Sequence, residues 1–328
     1  MGIVKVTNSM DYQSVITNLR EKIFRELIPI VNGNYYHLDN PYHINIGDNL
    51  IWEGEKQFLK HVPYKNLGNS SSASWRWPEI KNGDVILLHG GGNFGDLYRG
   101  AQDFRLEVIK RYSDNRIVMF PQSVWYDDMS LVEKDAEIMY RHKDLTLCLR
   151  DLPSYEFMKA HFPKCRLLLM PDMAFCILDS FLQRFRGKEN GKELFLRRLD
   201  KELLDTHTEI PESMEVRDWP TVESYDLSVR VVNGLIKLGN ISNKIPMASS
   251  ALMKTGDLIA DTIMRPTLVK KGCRFLAPYS RIITTRLHVL ILSVLLHKPV
   301  EYIDNCSGKL SAYADTWLTN LESVKKFI

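Results

Sequence analysis

The stretch Asp84–Asp96, DVILLHGGGNFGD, decides the fold class of this 328-residue chain. The apolar run Asp84–Leu88 has the length and residue types of a buried strand, and the glycines 90–92 follow it almost at once. A helical pattern then begins around Gln102–Tyr112. A strand that ends in a glycine-rich turn before a helix is typical of a βαβ unit in a parallel sheet.

The same alternation of strand and helix continues on both sides of this stretch. Short apolar runs end on polar or turn residues, and helical patterns separate them. These runs are Arg116–Phe120, Leu145–Leu149, Arg166–Met170, Leu194–Leu199, Arg281–Thr284 and Pro299–Ile303. Because ligands of parallel sheets bind at the carboxyl ends of the strands, the polar residues after each run are candidates for a site.

The pattern and the length together predict an α/β protein with two domains. We expect an N-terminal α/β domain over residues 1–180, beginning with a strand at Met1–Thr7, and a C-terminal α/β domain over residues 192–311. The basic, glycine-containing segment Phe181–Gly191 is interpreted as the linker. Residues 312–328 have a helical pattern and are expected to pack back onto either domain.

The composition and the apolar runs exclude several classes of protein. The 43 Lys and Arg residues nearly balance the 40 Asp and Glu residues, so the net charge is +3, which excludes a nucleic-acid-binding function. Residues 1–17 lack the apolar core of a signal peptide, and the most apolar run, Leu287–Leu296, is about half the length that crosses a bilayer. The five cysteines are scattered without a CxxC pair. We therefore expect a cytoplasmic protein with free thiols and no metal site.

The glycine turn is the strongest candidate for a ligand-binding loop. Gly91 and Gly92 allow backbone N–H groups to approach an anion closely, and Asn93 adds a donor; the alternative is a tight structural turn. The glycine spacing also fits the dinucleotide fingerprint, which requires an acidic residue at the end of the next strand. That strand ends in Pro121, Gln122 and Ser123, so NAD binding is not expected.

Two further strand or helix ends carry charged residues. Asp48 precedes a helical stretch, where it either caps the helix or faces the same cleft as the glycine turn. Arg150 follows a strand and can bind a phosphate or a carboxylate through two parallel hydrogen bonds. The alternative for Arg150 is an ion pair with Asp151 or another loop.

The segment Thr284–His288 is the second strong signal. A strand ends at two hydroxyl residues, and an apolar helix begins with Arg286 and His288 in its first turn. Helix N-termini bind anions through unpaired backbone N–H groups. If the helix starts at Thr285, however, Arg286 and His288 lie on different faces, and a histidine on an apolar helix is otherwise a core residue.

Three weaker signals remain open. The basic run Arg184–Arg198 is interpreted as a solvated linker and strand, or as a contact with an anionic membrane. The pair Asp127 and Asp128 is interpreted as a solvated acidic turn rather than a metal site. Four loop aromatics could stack on sugar rings: Trp75, Trp77, Trp125 and Tyr126.

Taken in order, these motifs resemble the polysaccharide pyruvyl transferase family. The matching segments are Ile46–Leu50, Gly90–Asp96, Phe120–Ser123, Arg150 and Asp151 with Ser154, Pro171–Ala174, Thr285–His288 and Lys309. The resemblance implies two Rossmann-like domains facing a cleft, as in GT-B glycosyltransferases. It also implies that pyruvate is transferred from phosphoenolpyruvate to a pair of sugar hydroxyls, forming a ketal.

The same resemblance assigns roles to residues. Arg150, Arg286 and Lys309 supply cations for the phosphate and the carboxylate of the donor, while His288 is the general acid that protonates the donor's methylene carbon, with Arg286 beside it as a second catalytic residue. No cofactor besides the donor is implied. The remaining expected substrate-binding residues are Gly91, Gly92, Asn93, Asp48, Gln122, Ser123 and Thr285.

The resemblance also gives the partners. The acceptor in such pathways is often a lipid-linked oligosaccharide, so the enzyme is expected at the inner face of the membrane, with a peripheral contact. Two rival functions stay open. A nucleotide-sugar glycosyltransferase would use an acidic residue such as Glu301 or Asp304 to hold a ribose, and a non-catalytic sugar-binding subunit would need no general acid.

Overall fold

A computed structural model describes residues 10–198, 211–224, 226–304 and 306–327. The strand predicted at Met1–Thr7 lies outside these residues. The described chain is α/β, and its strands form two sheets in which every recorded pairing is parallel. The predicted α/β class with parallel sheets is therefore confirmed.

The first sheet contains seven strands in the order β2-β1-β3-β5-β6-β7, and β4 pairs with β5 outside this path. Its strands are β1 (Tyr35–Leu38), β2 (Asn66–Ser70), β3 (Val85–Leu88), β4 (Gly91–Gly95), β5 (Arg116–Trp125), β6 (Leu145–Leu149) and β7 (Arg166–Leu169). The glycine turn is thus itself a short strand. β5 continues past Pro121, where the sequence predicted its end, because its pairing shifts register between Met119 and Gln122 and then resumes.

The second sheet contains five strands in the order β12-β11-β10-β8-β9. They are β8 (Lys192–Leu196), β9 (Glu215–Arg217), β10 (Tyr279–Thr284), β11 (Val300–Tyr302) and β12 (Val324–Lys326). The last strand corrects the helix predicted over residues 312–328. The helix there ends at Trp317, and β12 then pairs with β11 at the edge of the sheet.

Twelve α-helices are assigned in the described residues. They are α1 (Tyr12–Leu27), α2 (Ile46–Leu59), α3 (Arg99–Arg111), α4 (Met129–Tyr140), α5 (Leu152–His161), α6 (Asp179–Leu182), α7 (Pro220–Glu223), α8 (Leu227–Ile241), α9 (Pro246–Ile259), α10 (Arg265–Leu276), α11 (Leu287–Leu295) and α12 (Lys309–Trp317). A π-helical turn joins α9 to α10. The segment predicted as a linker, Phe181–Gly191, begins within α6 and a 3₁₀ turn.

Helix α11 is buried along its whole length, since all nine of its residues are buried. It contacts α2 of the first half of the chain as well as β10 and β11 of the second sheet. One continuous hydrophobic core surrounds it and includes residues from α1 through Leu321. Among the described residues, none of the helices is both long and apolar enough to cross a membrane.

Candidate active site

A cavity of about 430 Å³ lies where strand ends of both sheets meet. Arg150 follows β6, Arg198 follows β8, and Arg286 follows β10, while the N-terminus of α2 supplies Gly47 and Asp48. Both halves of the chain therefore contribute residues to the cavity. The three arginines lie at the carboxyl ends of parallel strands, where ligands of such sheets bind. Seven of the predicted site residues line this first cavity: Asp48, Gly92, Asn93, Arg150, Arg286, His288 and Lys309.

His288 is held by a carboxylate from the other half of the chain. Its Nε2 atom lies 3.3 Å from Asp172 Oδ2, and the same oxygen lies 3.0 Å from Arg150 Nη1. Arg150 Nη1 is also 3.5 Å from His288 Nε2. The side chains of Arg150 and Asp172 are buried, and that of His288 is only 11% exposed, so their charges interact in a low-dielectric environment. Asp172 thus fixes the ring and can stabilise a protonated imidazole.

The loop after β7 fixes Asp172 itself. Its Oδ1 accepts a hydrogen bond from the Ala174 N–H (2.9 Å), and its own N–H donates to the Tyr313 hydroxyl (3.1 Å). Burial alone would raise the pKa of Asp172, but the charge and hydrogen bond of His288, the charge of Arg150 and the hydrogen bond from the Ala174 N–H hold it well below its usual value. Asp172 therefore stays ionised at neutral pH. Sequence analysis matched this residue to the family motif but gave it no role.

Two glycines make room for these side chains. A Cβ atom on Gly47 would lie 2.6 Å from His288 Nδ1, and a Cβ atom on Gly92 would lie 2.7 Å from Arg150 Nη2. The hypothetical Cβ of Gly92 would also be 3.7 Å from Lys309 Nζ. The backbone of α2 and of the glycine turn thus packs directly against the ionic groups, which any larger residue would displace.

Arg286 lines the first cavity as well. It is the N-cap of α11 rather than part of its first turn, so it can share the cavity with His288 although the two are two residues apart. Its Nε and Nη2 atoms donate to both carboxylate oxygens of Asp218 at 2.6 and 2.7 Å. This two-bond pair orients the guanidinium.

Arg198 is a cation that sequence analysis did not assign to the site. The basic run Arg184–Arg198 was interpreted as solvated, yet Arg198 is buried and lines the cavity. Arg186 of the same run pairs with Asp179 (2.8 Å) and donates to the Leu295 carbonyl. The predicted run Leu194–Leu199 put Arg198 inside a strand, whereas β8 ends at Leu196 and Arg198 follows its end.

Four predicted site residues do not line this cavity: Ser123, which lies in the adjoining cavity described next, and Gly91, Gln122 and Thr285. Gly91 is buried beside it with a φ of +141°, which explains the glycine there. Gln122 donates to the His89 carbonyl (2.8 Å), and Thr285 Oγ1 accepts from the Arg198 N–H (2.9 Å). These contacts hold the glycine turn and the end of β8. We interpret these hydrogen bonds of Gln122 and Thr285 as supports of the surrounding backbone, and their predicted contact with substrate stays a prediction.

A second cavity of about 270 Å³ adjoins the first, and Gly92 and Lys309 line both. Ser123, predicted as a site residue, lies here and accepts a hydrogen bond from Arg150 Nε (2.8 Å). Trp125, Tyr126 and Phe157 give this cavity an aromatic lining. Two of the four predicted sugar-stacking aromatics, Trp75 and Trp77, instead pack on the core of the first sheet.

Behind the glycine turn lies a buried cluster of His37, Glu55 and His89. Its potential metal-ligating atoms lie within 4.8 Å of one another. Glu55 Oε2 is 3.0 Å from His37 and 2.7 Å from His89, and Oε1 accepts from the Gly90 N–H at 2.8 Å. Glu55 thereby ties α2 to the glycine turn, so we interpret the cluster as a support for that turn.

The acidic residues that a nucleotide-sugar enzyme would need are engaged elsewhere. Glu301 pairs with Arg281 at 2.7 Å, and Asp304 accepts a hydrogen bond from the Ser311 N–H. Neither residue lines either of the two cavities described above. Asp127 and Asp128 form an exposed turn, as predicted, and Asp128 also caps α4.

Comparisons with known proteins identify the family. The pattern that defines the family described as "Polysaccharide pyruvyl transferase" matches residues 45–307. The chain belongs to the polysaccharide pyruvyl transferase family. Every cavity residue discussed above except Lys309 lies within the matched segment.

Individual members of the pyruvyl transferase family are similar over most of the chain. A Schizosaccharomyces pombe protein named "Pyruvyl transferase 1" is 30% identical over 85% of this chain and 68% of its own length. A Bacillus subtilis protein named "Putative pyruvyl transferase EpsO" is 29% identical over 96% of this chain and 95% of its own. A solved structure of an uncharacterized Klebsiella pneumoniae protein has the same fold, with a TM-score of 0.60 and 18% identity over 95% of this chain and 99% of its own.

Proposed function

We propose that the first cavity binds phosphoenolpyruvate and that the protein transfers its pyruvate to two hydroxyls of one sugar. The observation that carries this proposal is the convergence of Arg150, Arg198, Arg286 and Lys309 on one cavity that also contains His288 held by Asp172. Phosphoenolpyruvate carries a phosphate and a carboxylate, so its site needs several fixed cations. Two buried carboxylates, Asp172 and Asp218, fix two of the arginines in turn.

The chemistry begins with proton transfer. His288 donates a proton to the methylene carbon, which becomes a methyl group and leaves a cation-like C2. The nitrogen available for this step is Nδ1, since Nε2 faces Asp172, and Nδ1 lies beside the side-chain-free Gly47. Asp172 stabilises the imidazolium before transfer. Arg150 and Arg286 hold the phosphate and the carboxylate in position.

Two bonds to the sugar then form at C2. One sugar hydroxyl attacks C2 and returns a proton to His288. The C–O bond to phosphate breaks, and the second hydroxyl attacks C2 to close the ketal. The proton of that hydroxyl leaves with the phosphate, so one phosphoenolpyruvate and one diol yield one ketal and one hydrogen phosphate.

The acceptor sugar binds in the second cavity under this proposal. Its aromatic lining suits the apolar face of a sugar ring, and Ser123 and Ser154 also line it. Because Gly92 and Lys309 line both cavities, a sugar there would meet the donor's C2 directly. The acceptor we propose is a polysaccharide repeat or a lipid-linked oligosaccharide, used at the cytoplasmic face of a membrane. We also propose that the two sheets form two domains that enclose this cleft.

Phosphate release from phosphoenolpyruvate tests the proposal. Purified protein is incubated with the donor and a panel of defined glycosides, including galactosides, and free phosphate and the glycoside mass are measured. We expect phosphate release that depends on the glycoside, together with thermal stabilisation by phosphoenolpyruvate alone. Stabilisation by a uridine or guanosine diphosphate sugar instead, with glycoside extension and no ketal, would support the glycosyltransferase alternative.

Trp125→Ala distinguishes acceptor binding in the second cavity from donor binding in the first. Loss of the stacking surface should raise the acceptor KM roughly tenfold and leave donor binding unchanged. Trp77→Ala is the matched control, because Trp77 packs against Tyr112 away from both cavities. An unchanged acceptor KM in Trp125→Ala would exclude the second cavity as the sugar site.

A further inference from the structure

We infer that the helical hairpin formed by α8 and α9 docks onto an anionic lipid bilayer through its solvent-exposed side. The first observation is an apolar stripe on α8. Leu227, Val231, Leu238 and Ile241 are all exposed, with Leu227 at 75% and Ile241 at 67% of their full accessibility. Their spacing of four, seven and three residues puts them on one face of the helix. The buried residues of α8 occupy the opposite face.

The stripe continues around the tip of the hairpin and along α9. Ile245 and Met247 follow at the tip, and Met247 is exposed to 86%. Leu258 lies three turns further along α9 and is exposed as well. Monomeric soluble proteins rarely expose so many large apolar side chains in one contiguous supersecondary element.

The inner face of the hairpin is fixed, so the stripe cannot turn inward. Val232, Ile236 and Met253 form a small core with Trp52 and Tyr42 of the first half of the chain. Asp257 accepts hydrogen bonds from the Tyr42 hydroxyl (2.9 Å) and the Ser74 hydroxyl (2.7 Å). These contacts attach the hairpin to the first sheet with its apolar stripe directed outward.

The positive charge of the hairpin indicates that its apolar stripe binds an anionic surface. Residues 227–256 contain four basic side chains and no acidic one. All four are exposed: Arg230, Lys237, Lys244 and Lys254. Exposed apolar residues flanked by lysine and arginine are the pattern of helices that lie in the interface of anionic membranes. A second copy of this chain would bring the same four cations to a symmetric contact, and like charges would oppose it.

The position of the hairpin suits an enzyme with a membrane-bound acceptor. Val222 of α7 lines the first cavity, and Leu227 begins the exposed stripe five residues later. Five residues span at most about 18 Å. A docked hairpin would therefore hold the cavity close to the bilayer surface. The inference does not depend on the proposed reaction, because bilayer binding can be measured without substrate.

Vesicle co-sedimentation of the full chain tests this inference. One set of vesicles contains phosphatidylcholine alone, and the other contains one part in three of phosphatidylglycerol. We expect the protein to bind the anionic vesicles more tightly, and added salt to weaken this binding. Ile241→Asp with Met247→Asp should reduce binding more than tenfold, and each of Lys237→Gln and Lys244→Gln should reduce it about fivefold. Met129→Asp is the control, because Met129 is a similarly exposed apolar residue on α4, outside the hairpin.

Circular dichroism and the Tm of each variant test whether the fold is kept. The substituted side chains lie outside both cavities, so turnover on a soluble acceptor should not change. Equal binding by the wild type and the hairpin variants would overturn the inference, as would a wild type that binds neither vesicle. A wild-type dimer in scattering measurements that Ile241→Asp converts to a monomer would assign the stripe to a second copy and overturn it too.

Discussion

Two Asp–Arg pairs hold arginines of the first cavity, and we call them the Asp172 side and the Arg286 side. They use the same residue types in different ways. On one side, Asp172 contacts both Arg150 and His288, a side chain that can give up a proton. On the other side, Asp218 engages Arg286 through both carboxylate oxygens. Both aspartates are buried, so both pairs act in a medium where charges interact strongly.

The difference separates chemistry from binding. In the proposed reaction His288 gives up a proton, which changes the charge next to Asp172, so this side is coupled to the chemical step. Arg286 keeps its charge throughout and is oriented by Asp218, so that side acts on donor affinity. Changes on the Asp172 side should therefore lower kcat, and changes on the Arg286 side should raise the KM for phosphoenolpyruvate.

His288→Asn should give the largest effect. Asparagine retains a polar side chain but cannot deliver a proton, so we expect kcat to fall by about 10²–10⁴-fold with little change in donor affinity. Phosphate-release kinetics and calorimetric titration with phosphoenolpyruvate measure the two quantities. His161→Asn is the control, since His161 is exposed at the end of α5. Turnover close to that of the wild type would remove His288 from the mechanism.

The matched pair Asp172→Asn and Asp218→Asn tests the comparison itself. Asp172→Asn removes the charge that stabilises the imidazolium, so kcat should fall on the order of 100-fold. Asp218→Asn should raise the donor KM and change kcat by less than about threefold. Steady-state kinetics give kcat and the donor KM of both variants. If the two variants lose kcat equally, the proposed division between the two sides is wrong.

Arg286→Lys should have a smaller effect, confined to binding. Lysine keeps the charge but loses the planar fork that pairs with Asp218, so we expect the KM for phosphoenolpyruvate to rise roughly tenfold. Arg281→Lys serves as the control, because Arg281 lies on β10, the strand that precedes Arg286, and pairs with Glu301 outside both cavities. A large loss of kcat with an unchanged KM would instead make Arg286 part of the chemical step.

The smallest effect is expected at a residue that supports the site from behind. Gln122→Met removes the donor to the buried His89 carbonyl, which should lower the free energy of unfolding by about 1–2 kcal/mol. The donor KM should stay within about twofold, since Gln122 lines neither cavity. Urea unfolding and kinetics test both statements, with the exposed Gln183→Met as control. A raised KM without a loss of stability would restore Gln122 as a substrate contact.

Strand ends could be predicted from the sequence, and most of the cavity follows from them. Arg150 and Arg286 come directly after apolar runs, and parallel strands bring such ends together. Arg198 has the same position after β8 but was missed, because five other basic residues between Arg184 and Arg198 suggested a solvated segment. The local position after a strand was a better guide than the charge of the surrounding run.

Contacts between distant segments could not be predicted. Asp172 and His288 are 116 residues apart, and nothing in either segment indicates that they meet. Gln122 was placed at a strand end because Pro121 ordinarily interrupts a strand, whereas β5 continues through it. The C-terminal strand Val324–Lys326 is too short for its alternation to be distinguished from a frayed helix end.

The most direct test of the central claim, that the reaction protonates the methylene carbon of phosphoenolpyruvate, is a single turnover of the wild type in D₂O. Mass spectrometry and NMR of the product report the isotope content of the ketal methyl group. Because the imidazole proton exchanges with solvent before turnover, we predict one deuteron in each new methyl group. A ketal methyl group without deuterium would contradict the account.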